Sequence, residues 1–145
     1  KVTIYPYNKR EAARLLDEAG WKMGKTGDYR TKDGKPLRLT LMAAAGAKIN
    51  ENIEAYIQNQ YKAVGIDLML KNEPARVFFG ETTKQRKFDM ALYSWVSIPD
   101  SSKRSTLHSK EIPSKANSFT GQNNPGYKNA EMDKLTDEFD QELDI

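Results

Sequence analysis

Leu37-Arg38-Leu39-Thr40-Leu41-Met42 and, further on, Ile66-Asp67-Leu68-Met69-Leu70-Lys71 are the stretches that decide the fold. In each, aliphatic residues alternate with other types, the period of a half-buried strand. Between them, from Ile49 or Asn50 to Val64, the apolar residues change period. Ile53, Tyr56, Ile57, Tyr61 and Val64 share one helical face, and Gly65 ends the helix. Strand, helix, strand at this spacing is a crossover unit with parallel strands. Pro74 opens a further helix, through Val77 and Phe78 to about Gln85. Phe88-Asp89-Met90-Ala91-Leu92-Tyr93 then reads as a third strand, apolar on both faces apart from Asp89, as for a strand covered on both sides. The fold class is α/β, a mostly parallel sheet flanked by helices.

Toward the amino end, Asn8-Lys9-Arg10-Glu11 followed by Ala12 to Trp21 is a short helix with both ends written in. Asn8 and Glu11 have the spacing of a capping box. Ala12, Leu15, Leu16 and Ala19 form one apolar stripe, and Gly20 supplies the left-handed terminating residue. Asp33-Gly34 is a turn signal, across which Tyr29-Arg30-Thr31 and Leu37-Arg38-Leu39 can pair as a hairpin. Toward the carboxyl end, a connection rich in Ser, Pro, Asn and Gly runs from Ser94 to Lys128. Asn129 then caps a last helix with the face Met132, Leu135, Phe139 and Leu143. A connection that long inside a compact domain is commonly functional.

The 145 residues suit one domain with a core of its own. No apolar run reaches the roughly 20 residues of a membrane-spanning helix. Lys1 runs straight into the strand-like Val2-Thr3-Ile4-Tyr5 and Ile145 ends inside a helical pattern, which reads as a piece of a longer protein. The absence of cysteine removes disulfides, thiolate metal sites and cysteine nucleophiles. A net charge of +3 with no basic face interleaved with aromatics argues against a nucleic-acid partner. His108 is the single histidine; without cysteine it leaves only carboxylates as metal partners, so it reads as a loop residue, and no metal or cofactor is expected.

In open α/β sheets, ligands sit outside the carboxyl ends of the strands. Ala43 to Asn50, Asn72 to Ala75 and Ser94 to Ser101 should therefore meet on one edge. The ligand-binding candidates are Ser94, Trp95, Ser97 and Asp100 after the third strand, and Ala45 and Gly46 after the first. Trp95 offers a cleft wall for stacking, against the alternative of core packing, which suits Tyr93 better. The small residues before residue 47 would let a ligand approach the backbone. Asp100 is either a partner for a ligand amine or a turn residue after Pro99. Arg104 reads as solvent-facing or interdomain rather than as a carboxylate fork.

Several segments together resemble extracellular solute-binding protein family 5, the peptide- and nickel-type receptors of ABC importers. They are Asn8 to Trp21, Asp33 to Leu41, Ile57-Gln58 with Val64 to Leu68, Phe88-Asp89-Met90 with Trp95, and Gly126-Tyr127-Lys128-Asn129 with Met132 to Leu135. The resemblance implies part of the second lobe of a periplasmic-binding-protein type II fold, residues 1–145 being a single lobe of a larger two-lobed protein. It implies a periplasmic or lipid-anchored location outside the cytoplasmic membrane, a peptide or other small solute as ligand, and an ABC permease and the missing first lobe as partners. Peptide-binding members place an acid three residues after the tryptophan; here Ile98 stands there, which leaves room for a modified peptide, an opine-like compound, a sugar or a metal chelate. In this pattern Asp89 is structural.

The expected function is thus substrate binding for an ABC importer, without catalysis. A carboxylate-dependent hydrolase using Asp100 with Asp89 or an acid from elsewhere is the rival, and a protein-interaction domain using the acidic last helix is a third reading.

Overall fold

The computed structural model describes residues 3–24, 27–98 and 101–142. In chain order its elements begin with helix α1 (Lys9–Glu18) and strands β1 (Lys22–Met23), β2 (Arg30–Lys32), β3 (Lys35–Pro36) and β4 (Arg38–Ala44). Helix α2 (Lys48–Lys62) and strand β5 (Asp67–Glu73) follow. Short helix α3 (Ala75–Val77) runs on as a π turn over Phe78–Thr82 to strand β6 (Met90–Leu92). Helix α4 (Arg104–Leu107), 3-10 turns at Ser109–Glu111 and Lys115–Asn117, and helix α5 (Ala130–Gln141) complete the described chain.

The crossover reading holds. β4 pairs in parallel with β5, Arg38 opposite Asp67 through Ala44 opposite Glu73, and with β6, Leu41 opposite Met90 through Ala43 opposite Leu92. The order is β5-β4-β6, so β4 is central. That position overrides the alternating pattern: Leu41, Met42 and Ala43 are consecutively buried, because both faces of a central strand are covered. β6, expected to be covered on both sides, is instead a three-residue edge strand of intermediate exposure. With Leu68 and Phe78, the three β4 residues make up the fully buried apolar core among the described residues.

A separate antiparallel sheet, β1-β2-β3, packs beside it. Its Asp33-Gly34 turn has positive φ at both residues, 51° and 75°, the geometry a two-residue hairpin needs. The partner strand is Lys35–Pro36, one step earlier than the sequence pattern indicates; of the expected partner residues, Leu37 donates its N–H to Arg30 O at 2.7 Å. Residues 3–5, the described part of the strand-like opening, join neither sheet.

One buried side chain joins these parts. Arg30 Nε donates to Val64 O at 2.7 Å, and its Nη1 donates to Trp21 O at 2.7 Å and to Asp17 Oδ1 at 2.8 Å. Its backbone N–H donates to Gly65 O at 2.7 Å. The carboxyl end of α1, the hairpin and the junction between α2 and β5 therefore meet on one guanidinium. That guanidinium holds the Asp17 carboxyl below its usual value.

The helix faces match the apolar stripes only in part: Ala12, Leu16, Ile57, Tyr61, Val64 and Met132 are half-buried, while other stripe residues are exposed. Asn8 caps α1 by accepting from Glu11 N–H, but the Glu11 carboxylate is engaged by Arg14 Nε at 2.8 Å instead of completing the capping box. No residue of α1 is fully buried, and Leu15 is half exposed. In α2 the innermost residue is Glu54, whose Oε2 accepts from Asn72 Nδ2 at 2.9 Å, while Ile53 and Tyr56 face solvent. Gln58 Nε2 reaches Leu68 O at 2.8 Å. These polar ties rotate the helix toward β5. Pro74 stands at the N-cap of α3 rather than inside it.

Asn129 caps α5 as expected, accepting from Met132 N–H at 3.0 Å. Its inward side is polar, however. Asp133 accepts from Ser109 N–H at 2.8 Å and from Ser109 Oγ at 2.5 Å, and Asp137 pairs with Arg104. Leu135 and Phe139 are about half exposed, and Leu143 lies outside the described residues.

Two tests follow from this packing. At Gly65 (φ +83°) an added Cβ would lie 2.8 Å from Arg30 Cγ and 2.7 Å from Met23 Sδ, whereas at Gly34 (φ +75°) it would meet nothing within 4 Å. Gly34→Ala should cost about 1 kcal/mol from backbone strain alone and Gly65→Ala about 2–3 kcal/mol, measured by urea denaturation. The Ser109 hydrogen bonds hold the Asp133 carboxyl below its ordinary 3.8. A depressed folded pKa adds stability above pH 3.8 that is lost as pH falls through the folded value. Asp133→Asn should therefore melt lower than the parent at about pH 6, and the two should converge near about pH 2.

Candidate ligand-binding edge

Because β4, β5 and β6 run parallel, their carboxyl ends, Ala44, Glu73 and Leu92, lie on one edge. Ala45 N–H donates to Glu73 O at 2.8 Å, and Thr82 Oγ1 donates to Glu73 Oε2 at 2.6 Å, which ties the loop after β4 and the π turn to the end of β5. The three segments expected to converge do so in their described parts.

A run of aromatic rings leads from the core to this edge. Phe78, fully buried, meets Phe79 at 4.9 Å and Tyr93 at 6.0 Å between centroids. Tyr93 meets Trp95 at 5.8 Å, and every contact is edge-to-face. This is a favoured ring geometry. It fixes the indole while leaving it 54% exposed. Tyr93, read from sequence as core, is half-buried and takes part in both core and wall; its hydroxyl accepts from Asn124 Nδ2 at 3.0 Å.

Trp95 borders two grooves. One, of about 720 Å³, is lined by Tyr93, Ser97, Ile98, Ser101, Lys103 and Thr106 among others. The second, about 520 Å³, includes Phe79, Thr83, Lys84, Ser94 and Asn124. Gln122 contributes to both. The larger falls within the roughly 300–1,000 Å³ of small-molecule sites, with the usual mixture of aromatic surface and a few polar groups.

The far wall is the long connection, and one side chain organises it. Asn123, fully buried, donates to His108 O at 3.1 Å and Tyr127 O at 2.8 Å, and accepts from Tyr127 N–H at 2.9 Å. Arg86 Nε donates to Asn124 O at 2.9 Å and braces the same turn from the α3 side. Neither residue is singled out by the sequence. Asn123 sits among other Asn, Pro and Gly residues with turn-forming character, and Arg86 lies in a basic run that looks solvated.

Of the sequence candidates, Ser94, Trp95 and Ser97 line these grooves, with Ser94 in the second and Ser97 in the first. Ala45 and Gly46 stand exposed at the end of β4 and line neither. Asp100 and Pro99 lie outside the described residues. Arg104 is not free for a ligand: it pairs with Asp137 and lies 3.8 Å from Asp140 and 3.9 Å from Glu111. His108 is a loop residue between α4 and the Ser109–Glu111 turn, as expected, and it is buried, 2% exposed; its Nδ1 accepts from Lys110 N–H at 3.0 Å, and Asp133 and Asp137 lie beside the ring. Among the described residues no group of three His, Cys, Asp or Glu side chains is placed to hold a metal ion.

Of the residues that the rival readings name, Asp89 and two acids of α5 have structural partners, and Asp100 lies outside the described residues. Asp89 Oδ2 accepts from Thr40 N–H at 2.9 Å at the amino end of β6, away from Trp95, where a carboxylate closes a backbone bond rather than doing proton chemistry. On α5, Asp133 and Asp137 face Ser109 and Arg104 within the chain, so much of the acidic character is used internally. A further groove of about 550 Å³, lined by Tyr5, Tyr7, Leu15, Leu16, Tyr61 and Val64, lies toward the amino end of β5. It is apolar, and it faces away from the loops that follow the strands.

Comparison with known proteins agrees with this geometry. Residues 1–112 match the model described as bacterial extracellular solute-binding proteins, family 5 Middle. The oligopeptide-binding protein AppA of Bacillus subtilis is 30% identical over 135 residues, 92% of this chain and 24% of AppA. The structure of AppA from Bacillus subtilis in complex with a nonapeptide superposes with a TM-score of 0.80 at 29% identity, covering 95% of this chain and 26% of that one. NikZ from Campylobacter jejuni in complex with Ni(L-His) gives 0.75 at 25% identity, covering 94% and 26%. The chain spans about a quarter of the length of these relatives. It belongs to the bacterial extracellular solute-binding proteins of family 5, a family of binding proteins rather than enzymes.

Proposed function

We propose that this chain is part of the second lobe of a two-lobed receptor of an ABC importer, and that its Trp95 edge is one wall of a cleft for peptides or peptide-like solutes. The observation that carries the reading is the half-exposed indole held by rings at the carboxyl edge of a parallel sheet. AppA, an oligopeptide-binding relative whose structure holds a nonapeptide, favours peptide. Side chains from the other lobe would complete the cleft. Closure is then a hinge motion that ligand contacts bias, and the closed form docks on the membrane permease. The exposed apolar residues Ile53, Tyr56, Leu135 and Phe139 suit surfaces that further parts of the same protein cover. The receptor works outside the cytoplasmic membrane, in the periplasm or tethered by lipid.

Ser94 and Ser97 supply hydroxyls beside the ring, and Ala45 and Gly46 leave the backbone open at the neighbouring strand end. Ile98, 74% exposed, stands three residues after Trp95, where the family resemblance leads to an acid, and its aliphatic side chain offers no charge to a peptide amino terminus.

Titration calorimetry of the full-length receptor with a defined oligopeptide tests the reading. Trp95→Ala should weaken binding by about tenfold or more, as loss of a central aromatic anchor does. The 145 residues alone should bind far more weakly than the whole, since the opposite wall is missing. Unchanged affinity in the Trp95 variant, or nanomolar binding by these 145 residues alone, would overturn it.

A further inference from the structure

The structure assigns to His108 the role of an acid-sensitive latch: with a neutral ring it holds the far wall of the Trp95 edge, and a proton on the ring releases that wall. The latch lies wholly among described residues, between α4, the Ser109–Glu111 turn and α5. Its consequence for a solute rests on the cleft reading proposed above.

His108 Nδ1 accepts from Lys110 N–H at 3.0 Å, so the proton of the neutral ring sits on Nε2. That Nε2, in a side chain 2% exposed, makes no hydrogen bond to a described residue. Two carboxylates of α5 stand just beyond reach: Asp133 Oδ1 is 3.7 Å from Nδ1, and Asp137 Oδ1 is 3.5 Å from Nε2. Positions 133 and 137 are one helical turn apart, so both acids face the ring from the same side of α5. The Ser109 hydrogen bonds hold Asp133 below its usual value; desolvation pushes Asp137 up, but Arg104 outweighs it, so both acids are ionised at neutral pH. Arg104, which also lies near Glu111 and Asp140, is the cation that α4 brings to the cluster, and Lys110 is the cation of the turn.

Histidine is the side-chain type that changes charge in the mildly acidic range. A proton bound at Nδ1 turns that atom from acceptor to donor, and the bond from Lys110 N–H is lost. The imidazolium then has two donors and two carboxylates beside it. A shift of about 1 Å toward α5 brings both pairs to the length of charge-assisted hydrogen bonds. The turn is left behind, and the turn anchors the wall. Glu111 O accepts from Asn123 N–H at 3.0 Å, and His108 O accepts from Asn123 Nδ2 at 3.1 Å. Gln122, the preceding residue, lines both grooves beside Trp95. A solute that needs the wall in place therefore binds the neutral form better, and acidification weakens its binding. By linkage, bound solute opposes protonation of the ring.

The test uses the full-length receptor labelled with 15N-histidine. The His108 ring signals are those missing from His108→Asn and displaced in Asp133→Asn. They should show the Nε2–H tautomer at about pH 7.5 and the imidazolium by about pH 5. Over the same range the 109–112 segment should lose about tenfold of its hydrogen-exchange protection, after correction for the intrinsic rate. Calorimetry with an oligopeptide free of Asp, Glu and His then reads the wall. Its dissociation constant should rise about fivefold from about pH 7.5 to about pH 5 in the parent, and by less than about twofold in His108→Asn. The asparagine oxygen still accepts from Lys110 N–H but takes up no proton. A ring that keeps one protonation state across this range, or a turn whose protection does not follow the ring, overturns the latch. An affinity that ignores pH in the parent, or whose pH dependence persists in His108→Asn, overturns its coupling to the wall. If no peptide binds at either pH, the cleft reading is what fails, and the ring and exchange measurements on the parent still decide the latch.

Discussion

A single buried guanidinium sets the frame of this molecule. Arg30 is 4% exposed and spends its donors on Val64 O, Trp21 O and the Asp17 carboxylate. A charge removed from water is costly unless several strong hydrogen bonds receive it. Here three structural units meet because the hairpin supplies the guanidinium, and the carboxyl end of α1 and the end of α2 supply its acceptors. Once α1, the hairpin and the end of α2 are fixed to one another, the entry of β5 is fixed as well. β5 pairs with β4 residue for residue, so the placement passes into the sheet and along it to the opposite edge.

At that edge a second device takes over. The ring series from Phe78 to Trp95 is anchored in the core at one end and open to solvent at the other. Edge-to-face contacts restrict how each ring can turn. The indole is thereby presented in one orientation before any ligand arrives, which lowers the entropy lost on binding. Asn123 does for the far wall what the rings do for the near one. It satisfies backbone groups of the 107–108 and 127 segments that would otherwise be buried without partners.

Local signals in the chain were reliable where the physics is local. The caps at Asn8 and Asn129, the Asp33-Gly34 turn and the order of strands and helices all depend on neighbours in sequence, and all are present. The faces of the helices were legible only in part: Leu16 of α1, Ile57 and Tyr61 of α2 and Met132 of α5 are half-buried as their spacing predicts. Apolar spacing points Ile53 and Tyr56 of α2 inward, yet Glu54 lies beneath, drawn by Asn72 on a strand that sequence proximity does not reveal. On α5 the apolar stripe gives way to Asp133 and Asp137 for the same reason: their partners, Ser109 and Arg104, are remote in the chain. A lone histidine in a polar stretch carries no mark of burial, and His108 acquires its setting only from α4 and α5 packed together. At the candidate edge, the strand-end rule put Trp95, Ser94 and Ser97 beside the grooves they line, while the braces at Arg86 and Asn123 were beyond it.

The wall is stratified. Its foundation, Phe78 and the ring of Tyr93, is continuous with the core, whereas its outermost layer, Val96, Ser97, Ile98, Lys84 and Lys103, is exposed and bears little of the packing. Replacements in that outer layer leave the fold almost untouched, because exposed positions away from special features usually change stability little. Under the proposed function, the rim can therefore change which solute it favours without compensating changes underneath. Choice of ligand, on that reading, and persistence of architecture are assigned to different atoms.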